Sequence, residues 1–223
     1  MGSLRTLVQR LAPWLIAGLA MYALASCSSS SKPSTSGASG GGTAQSANPS
    51  SASSAGSTAA SDLATRVLTD VPSGFVAQPD NVGDTGPSDL AKAVRDDGDP
   101  NAQALLTGEG FLRGYQRLWR DASKHSIVVF LYEFQTPDGA KAEFERKHPE
   151  LTAKAPAGAT EFTVNGLPSA VSGGVVGTIN GATIAAVDFA SGVDSVRIEY
   201  GGPTIADAQA LASSLALQQL SRL

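Results

Sequence analysis

One segment of this chain, residues 28–61, cannot join a folded core, and it therefore confines the fold to the residues on its C-terminal side. Of its 34 residues, 14 are Ser, seven are Ala and five are Gly, and none is aromatic or Leu, Ile or Val. Such a segment cannot bury enough apolar surface to offset the entropy lost when its backbone is ordered. We therefore predict a disordered tether over 27–61 and a single folded domain over 62–223, a length that suits one hydrophobic core.

The residues before the tether, 1–26, predict an export signal. Arg5 and Arg10 give a positively charged start, and the residues between Arg10 and Cys27 are nearly all apolar. This run is shorter than the roughly 20 apolar residues of a spanning helix and matches the apolar region of a secretory signal. It stops at the only cysteine of the chain. The alternative is an uncleaved membrane anchor in which that cysteine has no role.

The sequence at that point, Leu24-Ala25-Ser26-Cys27, resembles the bacterial lipobox. The resemblance implies a diacylglyceryl thioether on Cys27 and cleavage after Ser26. Together with the tether, the run GFLRGYQRLW at 110–119 and the run VNGLPSA at 164–170, it makes the chain similar to actinobacterial (mycobacterial-type) cell-envelope lipoproteins. The resemblance implies a protein held by its acyl chains on the outer face of the cell membrane, with its domain extending into the envelope.

The hydrophobic pattern of 62–223 predicts an α+β domain with helices packed on a mostly antiparallel sheet. Residues 126–134 are apolar on both faces of a strand, whereas 193–200 alternate, with Ser195, Arg197 and Glu199 predicted to point outward. Asn180-Gly181 predicts a two-residue hairpin turn. Both 126–134 and 193–200 run into a Thr-started, Ala-rich helix, which suggests two pseudo-duplicated halves.

Capping residues predict where the helices begin and end. Ser88 is expected to begin a helix over 89–95, and Asp99-Pro100 a second one over 101–107 that Gly108 closes. Thr136 begins a third, whose run through Phe144 is expected to stop at Pro149. Thr204, with Asp207 three residues later, begins the last helix.

The segment 110–121 fits either a helix or a strand, and Gly114 with its aromatic neighbours favours a strand. On a strand Arg113, Tyr115, Arg117 and Trp119 share one face, which could stack on or pair with a partner protein or an anionic envelope ligand. The structural alternative is that the aromatic rings face the core while the arginines pair with acidic residues of 62–109.

Charge and residue counts narrow the remaining classes of function. The chain carries a net charge of −4, and 62–223 hold 20 acidic against 13 basic residues, a formal charge of −7, so we predict no nucleic-acid partner. With one Cys and two His we predict no metal and no cofactor. The acidic run around Asp97 and Asp99 lacks the Gly and the Glu of a calcium loop at the sixth and twelfth positions.

These observations predict a lipid-anchored, non-enzymatic binding module with no catalytic residue. The alternative is a carrier of a lipid or glycolipid at the cell envelope, which would need a large apolar cavity. An enzyme ranks last, because it would need His125, His148 or a pair of acidic residues to converge in a pocket.

Overall fold

A computed structural model describes residues 62–179 and 181–223; the predicted signal segment, Cys27 and the tether lie outside the described residues. Within these residues eight strands form one sheet in which every strand pair is antiparallel, and helices pack on it. The α+β prediction is confirmed. None of the helices described here is long and apolar enough to cross a bilayer.

The elements succeed one another in an order close to the predicted one. Residues 62–66 are helical and are called α1. They are followed by β1 (Val76–Ala77), β2 (Gly86–Ser88), α2 (Leu90–Asp97), α3 (Ala102–Glu109), β3 (Phe111–Arg120), β4 (Ser126–Phe134), α4 (Pro137–Lys154), β5 (Thr160–Phe162), a short 3-10 turn (Ser169–Val171), β6 (Ser172–Ile179), β7 (Ala182–Ser191), β8 (Asp194–Gly202) and α5 (Ile205–Leu220). In space the strands run β1-β3-β4-β8-β7-β6-β5, and β2 lies beside β3.

Two similar strand–helix units meet at the centre of the sheet. β4 leads into α4 through Thr136, whose hydroxyl accepts a hydrogen bond from the Gly139 amide, and β8 leads into α5 through Thr204 in the same way. β4 and β8 are antiparallel neighbours, with four strands on each side of the line between them. The resemblance between 126–140 and 193–208 therefore corresponds to two strand–helix units of the same local form, but α4 and α5 pack on opposite faces of the sheet, so the two units are not related by a twofold axis.

The first face of the sheet carries the larger hydrophobic core and is covered by α1 and α5. Every second residue of the central strands points into this core, and Leu63, Val67 and Leu68 fill it from the N-terminal side. Gln219 on α5 is the polar exception, with no exposed surface. Its side chain accepts a hydrogen bond from the Leu68 amide and donates one to the Arg66 carbonyl. The residues next to the tether are thus part of the core.

The second face is covered by α2, α3 and α4 over a smaller apolar cluster. Ala93, Leu106, Phe134, Ala140 and Phe144 form this cluster at one end of the sheet. Beyond this cluster the second face also carries polar side chains, among them Gln116, Arg197 and Asp188. The helices therefore cover polar as well as apolar strand residues there, and this arrangement encloses a polar cavity.

The segment 111–120 is a strand, as its composition favoured. It pairs with β4 along its length, with Tyr115 opposite Leu131 and Trp119 opposite Ile127. Gly114 is needed for this packing, because a Cβ at this position would lie 2.4 Å from the Tyr132 ring. The glycine lets the ring lie across β3 on the second face of the sheet.

Two predicted caps are shifted by one or two residues. Asp89, not Ser88, caps α2, because Ser88 is paired with Gly114 in the sheet while the Asp89 carboxylate accepts from the Lys92 amide at 2.8 Å. Gly110, not Gly108, ends α3, since Gly110 has the left-handed backbone (φ +79°) that returns its amide to the Leu106 and Thr107 carbonyls.

The predicted end of α4 is wrong by a larger margin. Pro149 lies inside the helix, which continues to Lys154. A proline removes one helical hydrogen bond, and here side-chain contacts before Pro149 and across it hold the helix, since Glu150 lies 3.2 Å from Lys147 and 3.1 Å from Lys154. The rings of Phe144 and His148 are stacked at 5.3 Å, and Lys147 pairs with Asp97 at 3.3 Å. These contacts extend α4 over the second face of the sheet.

Candidate functional site

The four predicted contact residues of β3 lie on the first face of the sheet, and two of them are buried. Tyr115 and Trp119 are 3% and 5% exposed and belong to the main core. The Tyr115 hydroxyl donates to Asp80 at 3.0 Å and accepts from Arg117, whose guanidinium also lies over the Tyr115 ring at 5.1 Å. Both rings therefore pack inside the domain, and the Tyr115 hydroxyl already has hydrogen-bond partners there.

The two arginines of this strand are also held by neighbours. Arg113 donates to both oxygens of Glu133, at 3.2 and 3.0 Å, and lies 3.3 Å from Asp62. Arg66 of α1 joins the same group through Glu133 and Asp194. The arrangement fastens α1 to the sheet. That a partner contacts Arg113 or Arg117 stays a prediction.

A different set of side chains converges on the second face. Ser195, Arg197 and Glu199 of β8 were predicted to point outward into solvent, and this is wrong because α4 lies over them. They line a cavity of about 220 Å³ between the sheet, α2 and α4. Six acidic and three basic residues are in its wall: Asp84, Asp96, Asp97, Glu143, Asp188 and Glu199, with Arg95, Lys147 and Arg197.

The floor of the cavity is a row of residues that lie directly opposite one another on four strands. Gln116 of β3 faces Phe130 of β4, Phe130 faces Arg197 of β8, and Arg197 faces Asp188 of β7. Because side chains alternate along a strand, these four must share one face of the sheet. Tyr132 and Ser195 form the next row on the same face.

Arg197 and Asp188 form a buried ion pair in the centre of this floor. The guanidinium donates to both carboxylate oxygens, at 2.6 and 3.0 Å. Burial by itself would raise the pKa of Asp188, but the Arg197 charge, with His148 nearby, outweighs it and holds that pKa below its usual value. The pair therefore stays ionised, and the Arg197 charge is already neutralised by Asp188.

Glu143 and Glu199 are the two carboxyl groups of the cavity that lack a cationic partner among the described residues. Glu143 is 8% exposed; its Oε2 accepts from the Ser195 hydroxyl at 2.5 Å, and no described residue donates to its Oε1. Glu199 has neither a hydrogen bond nor an ion pair within the part of the chain that the structure describes. Burial raises the pKa of both groups, with Ser195 opposing this for Glu143 and Arg197 for Glu199.

The acidic residues at the α2 end of the cavity are balanced. Asp97 is bound by Arg146 at 2.8 Å and Lys147 at 3.3 Å, and these charges outweigh burial and lower its pKa. Asp96 is paired with Lys92, although burial keeps its pKa above the usual value. The Asp97 and Asp99 run that resembled a calcium loop is thus a structural ion pair followed by a helix start, since Asp99 accepts from the Asn101 amide.

The two histidines occupy different environments. His125 lies in the loop between β3 and β4, with its Nδ1 2.8 Å from Asp121. His148 was expected at the end of a helix, but it lies inside α4, with its Nδ1 3.5 Å from the Asp188 carboxylate. In the described residues no group of three or more His, Cys, Asp or Glu has the arrangement of a metal site.

The cavity can bind a small polar molecule and does not suit an acyl chain. Buried or half-buried carboxyl groups with raised pKa values can accept hydrogen bonds from a ligand or donate to it, and such groups are concentrated at functional sites. A lipid chain placed here would leave charged groups buried without water, which is costly. The cavity therefore does not favour the lipid-carrier alternative.

Sequence reasoning missed these residues, although one signal pointed to them. Asp188 stands in the otherwise apolar strand 182–190, where an ionised side chain needs a partner. Nothing in the sequence indicates that Glu143 and Arg197 lie in the interior, since charged residues on amphipathic elements normally face water. Only the placement of α4 over β8 makes them interior.

Comparisons with known proteins add little to this picture. No protein-family model matches the sequence, and no curated protein matches it. Among solved structures the chain is similar to the extracellular domain of PknH from Mycobacterium tuberculosis, with a TM-score of 0.45 and 11% identity over 74% of this chain and 97% of that domain. The function of this chain is therefore inferred from its sequence and its cavity, without support from that similarity.

Proposed function

We propose that this protein is a lipid-anchored, extracytoplasmic binding module that holds a small polar ligand in the cavity between α4 and the sheet. Its acyl anchor on Cys27 attaches it to the outer face of the cell membrane, and the tether lets the domain reach into the envelope. Catalysis is no part of the proposal, and neither are a cofactor and nucleic acid. This small polar ligand differs from the partner protein or anionic envelope ligand that the residues of β3 suggested.

The observation that carries this proposal is the enclosed position of Glu143 and Glu199. Glu143 is 8% exposed and Glu199 is half-buried, and side chains that line a cavity in this way can be reached by a ligand. Here two carboxyl groups line a cavity of about 220 Å³, and the described residues leave one of them without a hydrogen bond. A ligand that supplies hydrogen-bond donors or charge would complete them.

The proposal of an anchor rests on the sequence before residue 28. A flexible chain of about 34 residues spans roughly 30–35 Å on average, so the anchor and the domain can be far enough apart for the cavity to stay open to the envelope. Because α1 is bound into the core, the tether joins the domain at its first described residues, on the first face of the sheet.

Replacing Cys27 by Ala is expected to abolish incorporation of labelled palmitate and to move the protein from the membrane fraction to the soluble or unprocessed fraction. The reason is that the thiol is the acceptor of the diacylglyceryl group, and loss of two or three acyl chains removes the anchoring energy of about 0.8 kcal/mol per methylene. Metabolic labelling and fractionation measure this. Replacement of Ser28 by Ala is the control, and labelling that persists without Cys27 would contradict the anchor.

A bound ligand is expected in the protein isolated from its own membrane. Native mass spectrometry of the lipidated chain in mild detergent should show a small added mass, either as isolated or after incubation with a polar extract of the envelope. A Glu199→Tyr variant should lose that mass, because the larger ring fills the cavity. Glu161→Tyr is the matched control, since Glu161 lies exposed on β5. A wild-type chain that never carries an added mass contradicts the binding proposal.

A further inference from the structure

We propose that the ligand of the cavity is a small organic cation, a primary amine or guanidinium compound, that places its positive charge against Glu199, while Glu143, hydrogen-bonded to Ser195 four residues earlier on β8, lines the same cavity. This inference rests on the proposed binding function and adds the chemical class of the ligand. It is supported by the charges in the cavity that are already balanced, by the aromatic wall, and by the absence of a metal-like arrangement among the described residues.

The basic side chains of the cavity are not available to an incoming anion. Arg197 is held by both oxygens of Asp188, and Lys147 lies 3.3 Å from Asp97 and 3.2 Å from Glu150. Arg95, at the rim, lies 3.6 Å from Asp84. An anionic ligand would have to break one of these pairs and would also approach two carboxyl groups that have no cation of their own.

The acidic side chains are not balanced in the same way. Asp188, Asp96 and Asp97 each have a basic partner, on β8, α2 and α4 respectively. Glu143 has only the neutral Ser195 hydroxyl, and the described residues give Glu199 no partner. Counting Asp84 with Arg95, four of the six carboxyl groups in the wall therefore have a basic partner, and Glu143 and Glu199 have none among the described residues. The charge that the cavity lacks is positive.

The wall next to these carboxyl groups suits an organic cation. Phe130, Tyr132 and Phe144 line the same cavity, and the face of an aromatic ring attracts a cationic group within about 6 Å. A divalent metal would instead need several oxygen or nitrogen ligands around one point. No such cluster occurs in the described parts of the chain. An ammonium or guanidinium group needs only hydrogen-bond acceptors and an apolar surround, and both are present.

Protonation of Glu199 and Glu143 makes the proposed affinity for a cation depend on pH. The charged groups that act on Glu199 are Arg197 on its own strand and Asp188 on β7. Tyr132 on β4, and Glu143 and Lys147 on α4, line the same cavity, as do the balanced Asp84, Asp96 and Asp97. Burial raises the pKa of Glu199 and of Glu143, so each binds a proton more readily than an exposed glutamate. A cation needs the ionised form, and its affinity must therefore fall as the pH falls.

Isothermal titration calorimetry of the full lipidated chain in detergent tests this with matched probes. The cationic probes are putrescine, agmatine and glucosamine, and the neutral matches are glucose and N-acetylglucosamine. At least one cationic probe is expected to bind, and its affinity should fall tenfold or more, about 1.4 kcal/mol, in Glu199→Gln. It should also fall between about pH 7.5 and about pH 5, where carboxyl groups with raised pKa values take up protons. Glucose should not bind.

Two controls keep the result interpretable. Glu161→Gln makes the same change at an exposed position and should leave the affinity unchanged. Thermal unfolding of Glu199→Gln should match the wild type; if that variant does not fold, Glu143→Gln serves in its place. Failure of all three amines to bind, equal binding of glucose and glucosamine, or an affinity unaffected by the variant overturns the cation proposal. An added mass in native spectra would then still support the binding function with a neutral ligand.

Discussion

Replacing Arg197 by Met is expected to lower the free energy of unfolding by about 3–5 kcal/mol at neutral pH, the cost of removing one partner of a buried ion pair. The substitution keeps most of the side-chain volume and removes the only cation that contacts both oxygens of Asp188 among the described residues. It also leaves Asp188, Glu143 and Glu199 lining one cavity without a central positive charge. Denaturant unfolding followed by circular dichroism measures the loss.

The deficit of this variant should shrink as the solution is made acidic. In the wild type the pKa of Asp188 is lowered, so its stabilising contribution is present above the unfolded value of about 3.9 and is lost as the pH falls through the folded value. Without Arg197 the carboxyl groups are expected to have raised pKa values, and they stabilise the folded state most when protonated. The two stability curves should therefore converge at low pH.

Two further variants distinguish the effect on stability of losing the ion pair from the effect of losing a long side chain. Arg222→Met removes an exposed arginine whose guanidinium donates one hydrogen bond, to the Thr65 carbonyl, and should cost no more than about 0.5–1.5 kcal/mol. The double replacement of Arg197 by Met and Asp188 by Leu should recover most of the loss, since no unpaired charge then remains at this pair. A single variant as stable as the wild type at neutral pH would contradict the ionised pair.

Much of the fold could be predicted because local patterns and tertiary packing agree. The residues 126–134 form a strand because β-branched and aromatic side chains cover both of its faces, and both faces are indeed packed. The hairpin predicted at Asn180-Gly181 agrees with the pairing of β6 and β7, which begins at Ile179 and Ala182; Asn180 itself lies outside the described residues. Thr136 and Thr204 cap the two long helices as expected.

The cavity could not be predicted, because the sequence does not show which strands α4 packs on. The α4 residues that line the cavity, Glu143, Phe144 and Lys147, all precede Pro149, so the predicted helix already contained them; pattern alone nevertheless assigns Arg197 and Glu199 to solvent. The position of α4 over the sheet depends on contacts of Lys147 with Asp97 and of His148 with Asp188. Those contacts join residues about 40–50 positions apart, which periodicity within a short window cannot reveal.

The four residues Arg113, Tyr115, Arg117 and Trp119 of β3 are a different case, because the sequence left a functional and a structural interpretation open for them. The structure can be compared with each part of the structural interpretation. The rings of Tyr115 and Trp119 face the core, as in the structural alternative. Arg113 is paired with Asp62, as that alternative expected, but its main partner is Glu133 on the neighbouring strand. Cross-strand pairing of this kind depends on the register of β3 against β4 and is invisible before that register is known.

Replacing Gln219 by Ala is expected to lower the free energy of unfolding by about 2–6 kcal/mol, because two backbone groups lose their partners at a cost of about 1–3 kcal/mol each. The Gln219 side chain, which has no exposed surface, accepts from the Leu68 amide at 2.8 Å and donates to the Arg66 carbonyl at 2.9 Å. It is the polar bridge between α5 and the segment next to the tether. Chemical denaturation measures the global loss.

Hydrogen exchange at the Leu68 amide tests whether the loss arises at this bridge. In the wild type that amide should exchange slowly, and in the Gln219 variant its protection should fall further than that of amides in β4 and β8, since the bonded oxygen is gone. Gln218→Ala is the matched control on the preceding residue: its side chain is partly exposed and its amide donates to Ser214 at 3.5 Å, so stability should change by less than about 0.5 kcal/mol. Equal effects of the two alanine variants would show that helix propensity, and not the buried bridge, determines the loss.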